Sequence, residues 1–382
     1  MNTVPYYWRL SAFYLFYFGS LGALMPYISL YLKALGFEAQ AIGELIAIIM
    51  ATKILAPNIL GWIADKTGRH IALVRITSFL TVLCFLGLFL GKSYLWLALV
   101  FGAFSFFWNA SLPQFEAITI AHLGKQVHRY SQIRLWGSIG FIIMVILLGW
   151  LFNFISITFL PILLIGLFSG IWLSSLLVPE KETRLLTVSN DSFYQILKRP
   201  SVIVLFLTAF LMQASHGPYY TFYSIYLEDY GYNRNLIGQL WALGVIAEVA
   251  IFLVMHRLLH RFDLKDLLMI SLALTAIRWL LIGYYIESLP ILLFAQLLHA
   301  ASFGMYHGVA MHFFSHTFTH SHQGKAQALY SAFGFGAGGV VGSLLSGYTW
   351  ESYGAMFSYS WAALLSMLAL WISWQWFIPR KN

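Results

Sequence analysis

A chain of 382 residues that is 60% hydrophobic and 9% charged has too little polar surface for a water-soluble globule, whose charged share is roughly 25%. Its mean hydropathy of +0.76 points to a protein embedded in a lipid bilayer, and a net charge of +8 scattered over short turns excludes a nucleic-acid-binding surface. The lone cysteine, Cys84, rules out an intrachain disulfide framework and suggests neither a metal site nor a nucleophile.

A bilayer core of about 30 Å takes roughly 20 apolar residues per helix, so the chain has room for about twelve spans and no sizeable soluble domain. The apolar runs predict helices over 8–34, 41–64, 71–91, 94–122, 132–153 and 156–178. Six more are predicted over 200–228, 235–258, 265–285, 289–317, 325–348 and 354–377. The start lacks a cleavable signal pattern, so the first span is expected to stay. Between the two sets, residues 179–199 carry Glu180, Lys181, Glu182, Arg184 and Lys198 without a strong apolar run. This stretch is the expected linker between an N-terminal bundle, 1–178, and a C-terminal bundle, 200–382. Most Lys and Arg residues, from Arg9 and Lys66 through Lys181 to Lys381, fall on one side; the other receives only Lys33, Lys92 and Arg234. That bias predicts cytoplasmic termini and a cytoplasmic linker in a bacterial inner membrane.

Between the second and third helices runs Gly61-Trp-Ile-Ala-Asp65-Lys66-Thr-Gly68-Arg69-His70. Charges here mark where the hydrocarbon ends, Gly68 permits a tight turn and Gly61 allows a close helix neighbour. The pattern Gly-x-x-x-Asp-Lys-x-Gly-Arg resembles the signature loop of major facilitator superfamily transporters. That resemblance implies an all-α fold of twelve transmembrane helices in two six-helix bundles around a central cavity. It also implies a conformational gating role for Gly61, Asp65, Lys66, Gly68 and Arg69.

The chain repeats itself as well. Gly22–Leu45 aligns with Gly217–Leu240 without a gap at an offset of 195, with Gly22/Gly217, Tyr31/Tyr226, Leu32/Leu227, Gly36/Gly231 and Gly43/Gly238 among the identities. A direct repeat of six helices predicts two bundles related by an axis along the membrane normal, with a site between them.

Ionisable groups deep in a span carry most information, because burying one without a partner costs several kcal/mol. Lys53 and Glu248 occupy equivalent positions of the two repeats, suiting either a fixed ion pair or one that responds to substrate or proton. Glu116 and Arg134 each lie nine residues from Lys125 on antiparallel neighbours, which makes a direct pair geometrically natural. Arg278 sits mid-helix and must find a carboxylate, carbonyls or water, with Glu248 the nearest acid by sequence. His299 and His307, two turns apart on one face, suit proton exchange or a structural hydrogen bond. His312, His316 and His320 follow at four-residue spacing, but no acid or Cys accompanies them and metal is not expected. The tyrosines of the first and seventh helices suit either a cavity lining or interfacial belts. His216-Gly217-Pro218 predicts a bend in the seventh helix, and Gly334, Gly338 and Gly342 predict close helix packing in the eleventh.

Tyr130…Arg134-Leu-Trp-Gly-Ser, Leu240-Trp-Ala-Leu-Gly-Val-Ile-Ala-Glu248 and Leu298-His299 resemble the phenylpropionate permease group, beside the oligosaccharide and nucleoside proton symporters. Similarity to lactose permease-like symporters implies substrate binding by Glu116 and Arg134, and by Glu248, Arg278 and His299, with Lys53 added from the repeat. Such symporters place a proton-carrying glutamate three residues after the histidine, where this chain has Ser302. Proton coupling is therefore expected at Glu116, Glu248, His299 or His307. The expected protein is a monomeric, non-enzymatic secondary transporter, driven by a proton gradient and needing no cofactor. An excess of embedded cations favours an aromatic or other organic carboxylate as substrate; a sugar or nucleoside, or export of a drug or metabolite, is the alternative.

Overall fold

The computed structural model describes residues 6–181 and 191–378, and every regular element among them is a helix. The six helices of the first half are α1 (Tyr7–Ala34), α2 (Ala39–Thr67), α3 (His70–Phe89), α4 (Tyr94–Leu123), α5 (Tyr130–Leu151) and α6 (Leu160–Leu176). The second half holds α7 (Pro200–Asp229), α8 (Arg234–Arg261), α9 (Leu264–Tyr284), α10 (Leu289–Thr317), α11 (320–353) and α12 (355–376). A seven-residue helix, Asp191–Leu197, precedes α7, while residues 182–190 of the expected linker lie outside the described residues.

Ten segments are long and apolar enough to cross a bilayer, but two of them, Tyr94–Leu151 and His322–Trp376, run for 58 and 55 residues. At a 1.5 Å rise per residue each would be roughly 80 Å long, more than twice the hydrocarbon thickness. Both are folded back at a glycine. Gly124 has φ +51° and opens a 3₁₀ turn to Arg129, and Gly354 has φ +82°, conformations that cost a side-chain-bearing residue dearly. The crossings therefore number twelve among the described residues.

The chain condenses into two units, Met1–Leu185 with Asn233–Gln239 and Leu186–Tyr232 with Leu240–Asn382. In the first, α1 packs along α5 and α6, while α4 packs against α2 and α3. A Cβ on Gly22 of α1 would lie 2.6 Å from the Phe141 carbonyl oxygen of α5. The second unit repeats the device: Cβ atoms on Gly338 and Gly342 of α11 would lie 2.6 and 2.5 Å from the carbonyl oxygens of Phe210 and Ala214 on α7. The absent side chains let backbones touch, as small residues do wherever membrane helices pack closely. Gly334 is looser, 3.4 Å from Ala209 Cβ.

Three helices of the second unit depart from regular α geometry. The expected bend in α7 is a break, with one helix ending at Ser215 and the next starting at Gly217. In α10 a π-helical turn occupies Ala300–Met305, and in α11 another occupies Ser331–Gly338. Such turns insert a residue and recur at functional positions. The first is anchored from outside: Ser271 of α9 donates its hydroxyl to the Ala301 carbonyl at 2.7 Å.

Candidate functional site

The second unit holds a polar network centred on Arg278 of α9, which is fully buried. Its Nε donates to the Ala295 carbonyl at 3.0 Å, one terminal nitrogen to Ser302 Oγ and His299 Nδ1 at 2.9 Å each, and the other to Gln296 Oε1 at 3.2 Å. The guanidinium also lies 4.4 Å from the Tyr219 ring centroid and 4.8 Å from that of Trp279, a cation–π cradle. Gln296 is fixed in turn by the Tyr219 hydroxyl at 3.0 Å and by its own bond to Tyr223 at 2.6 Å. Tyr219 and Tyr223 of α7 therefore belong to a buried network and not to an interfacial belt.

Glu248 of α8 does not pair directly with Arg278, as sequence proximity suggested. Its Oε2 lies 3.5 Å from His299 Nε2, so the imidazole stands between acid and guanidinium. The chemistry fixes the tautomer. A guanidinium has only donors, so His299 Nδ1 must accept, and the ring hydrogen sits on Nε2 facing Glu248. Ser302 takes the position where similar symporters carry an acid, and here it accepts from Arg278. Phe303 then stacks between His299 and His307, with centroid separations of 5.5 and 6.2 Å. The two histidines thus share one column across the π turn, and Tyr330 stands 3.5 Å from His307 Nδ1.

In the first unit, Glu116 and Arg134 come near each other without forming the expected direct pair. Tyr130 intervenes, donating to Glu116 at 3.1 Å, while the Arg134 guanidinium stacks 3.7 Å over the Phe18 ring. No ion pair within 4 Å joins Arg134 to an acid among the described residues. Gly137, one turn on, leaves room for this stack, because a Cβ would lie 2.7 Å from the Phe18 ring and 2.6 Å from the Arg134 guanidinium. Tyr14, which bonds Thr119 at 3.1 Å, completes the aromatic wall. Lys53 is half-buried on α2 and makes no hydrogen bond or ion pair to any described residue of its unit.

The loop after α2 is a compact joint. Gly68 caps α2 with φ +68°, its N–H donating to the Ala64 carbonyl. Gly61 allows the Gln114 amide of α4 to within 3.1 Å of where a Cβ would sit. Gln114 bonds His70 Nδ1 at 2.9 Å, and His70 Nε2 lies 3.8 Å from Asp65. Lys66 sits over the Trp62 ring at 5.0 Å, and Arg69 precedes the first turn of α3. Glu180, which sequence reading placed only in a linker, receives the N–H groups of Ile71 and Ala72 at 3.1 and 3.3 Å. Arg75 returns the favour, donating to the Ser175 and Val178 carbonyls at the end of α6. These pairings satisfy helix ends with opposite charges as the helix dipole requires. His312 and His316 stack at 4.1 Å, and the side chain of His320 lies outside the described residues.

Twelve membrane-crossing helices among the described residues, with ionisable groups set inside each unit, are the features of a polytopic membrane transporter of the major facilitator type. The MFS_1 like family matches residues 7–361, and the chain belongs to that family. It is similar to an Escherichia coli (strain K12) protein named a probable 3-phenylpropionic acid transporter, with 29% identity over 89% of this chain and 90% of the relative. It is also similar to the maltose permease of Geobacillus stearothermophilus, with 25% identity over 89% of this chain and 87% of the relative. The crystal structure of the nucleoside transporter NupG superposes with a TM-score of 0.84 at 18% identity, covering 98% of both chains. Its fold is therefore shared, and the protein is a secondary transporter and not an enzyme.

Proposed function

We propose that the protein is a proton-coupled symporter that imports a small organic carboxylate, aromatic acids foremost, by alternating access. The observation that carries this is the state of Arg278. All its hydrogen bonds go to uncharged groups, and no carboxylate lies within 4 Å among the described residues. A buried cation without a counter-charge is costly, and a substrate carboxylate supplies one. Arg134, in no ion pair with an acid among the described residues and resting on Phe18, offers a second bidentate donor of the same kind. Lys53 adds a third cation, and the surrounding tyrosines suit an aromatic ring. Glu248 takes the proton and His299 relays its arrival to Arg278, loosening or tightening the hold on the anion. Glu116 and His307 are the further proton-carrying candidates.

Several features accompany this reading: an inner-membrane location with both termini cytoplasmic, a monomeric state, and the bundles 1–178 and 200–382 moving as bodies joined by 179–199. The joint at Gly61, Asp65, Lys66, Gly68 and Arg69 would gate that motion. Proteoliposomes with an acidic exterior test the proposal. Labelled 3-phenylpropionate should accumulate inside, and absence of accumulation would overturn the choice of substrate.

A second reading, sugar or nucleoside symport, is favoured by the Gln296–Tyr219–Tyr223 and Glu116–Tyr130 hydrogen-bonding groups, which suit hydroxyls. Accumulation of maltose but not of the acid in the same vesicles would select it.

A further inference from the structure

A cavity of about 760 Å³ opens between the first turn of α1 and the start of α5, lined by Arg9, Arg129, Trp8, Trp136, Tyr7 and Leu135 among others. It shares no residue with the transport network. The Arg9 guanidinium is set against an aromatic frame. The Trp136 indole donates to the Tyr7 hydroxyl at 3.0 Å, Trp8 packs edge-on against Trp136 at 5.4 Å, and Arg9 lies over the Tyr6 ring at 5.2 Å. Arg9 spends one of its five N–H donors on the Leu177 carbonyl. Among the described residues, none that lines the cavity is acidic. Below the cationic mouth the wall turns apolar through Leu135 and Ile139, and both Trp8 and Leu135 are exposed.

We infer that this cavity binds the headgroup of an anionic glycerophospholipid, with an acyl chain lying along Leu135 and Ile139. The terminal turns of two membrane-spanning helices sit at headgroup depth, where tryptophan and tyrosine rings concentrate. Guanidiniums grip phosphate bidentately, and basic pockets between transmembrane helices favour anionic lipids. A free phosphate would use the arginines alone and leave the apolar wall wet. A lipid covers both. Each guanidinium contributes about a fivefold preference for the anionic lipid, so the pair gives roughly 30-fold.

Native mass spectrometry on the full-length detergent-solubilised protein tests this, titrating phosphatidylglycerol against phosphatidylcholine of identical acyl chains. The wild type should bind one phosphatidylglycerol at least tenfold tighter than phosphatidylcholine. Arg9→Gln with Arg129→Gln should erase the difference. Arg129→Glu alone, which leaves Arg9 on Leu177, should reduce it at least tenfold and guards against a folding failure in the double variant. Equal binding of the two lipids by the wild type, or an unchanged preference in either folded variant, would overturn the inference. Displacement of the bound lipid by millimolar inorganic phosphate would also overturn it, by assigning the site to a free anion.

Discussion

Replacing Glu248 with glutamine separates proton coupling from substrate binding, and the geometry around His299 says what to expect. A proton on His299 would have to sit on Nδ1, facing the Arg278 guanidinium 2.9 Å away. At an effective dielectric of ~20 that contact costs about 6 kcal/mol, against about 5 kcal/mol regained from Glu248 at 3.5 Å. The two nearly cancel, and the lost hydrogen bond to a charged donor, about 1.5–3 kcal/mol, decides the matter. The proposed coupling therefore assigns the proton to Glu248, and glutamine imitates that protonated form while still accepting from His299 Nε2. In proteoliposomes with a pH difference of one unit, one-to-one symport can concentrate solute about tenfold, equivalent to about 1.4 kcal/mol. Glu248→Gln should abolish that accumulation. Exchange of labelled for unlabelled substrate, which needs no net proton movement, should persist within about threefold of wild type. A variant that still concentrates substrate would refute the assignment, as would one in which exchange disappears although the protein is folded.

Three other outcomes are expected. Arg134→Ala should abolish accumulation with expression intact, and Arg134→Lys should recover only a minor part, because an ammonium does not reproduce the flat contact on Phe18; transport assays beside Western blots check both. Gly342→Ala places a methyl group 2.5 Å from the Ala214 carbonyl oxygen and should destabilise the protein by about 1–3 kcal/mol, seen as a lower thermal midpoint in detergent. Glu180→Ala removes the acceptor for two N–H groups of α3 and should cost about 1 kcal/mol by the same assay, with Glu180→Gln recovering part of it.

Sequence alone made the helices legible because lipid enforces long apolar runs, and the offset of 195 exposed the repeat. It also singled out Arg278, His299 and Glu248, since ionisable groups in such runs are rare. What it missed were the neutral partners. Gln296 and Ser302 cost little to bury and so leave no mark in an apolar stretch, yet they fix the Arg278 guanidinium. Tyr130 was noticed as part of a motif, not as the group that takes the Glu116 oxygen and keeps Arg134 from pairing with it. The π turns of α10 and α11 were invisible because one inserted residue leaves hydropathy unchanged. Glu180 was read only as a linker charge because its task depends on the first turn of α3, far away in the chain. The bend at Gly217 was legible from its proline, whereas the folding back at Gly354 rested on counting residues against bilayer thickness.

The glycine contacts of α11 on α7 divide the seventh helix into a fixed chassis and an adjustable lining. Along one side its backbone is clamped where Phe210 and Ala214 meet Gly338 and Gly342, so heavier substitutions there would pry the pair apart. Beyond the break, Tyr219 and Tyr223 reach toward Gln296 and can be exchanged without disturbing that clamp. If the proposed site holds the cargo, rings and amides there could be swapped to retune selectivity while the glycine seam stays untouched.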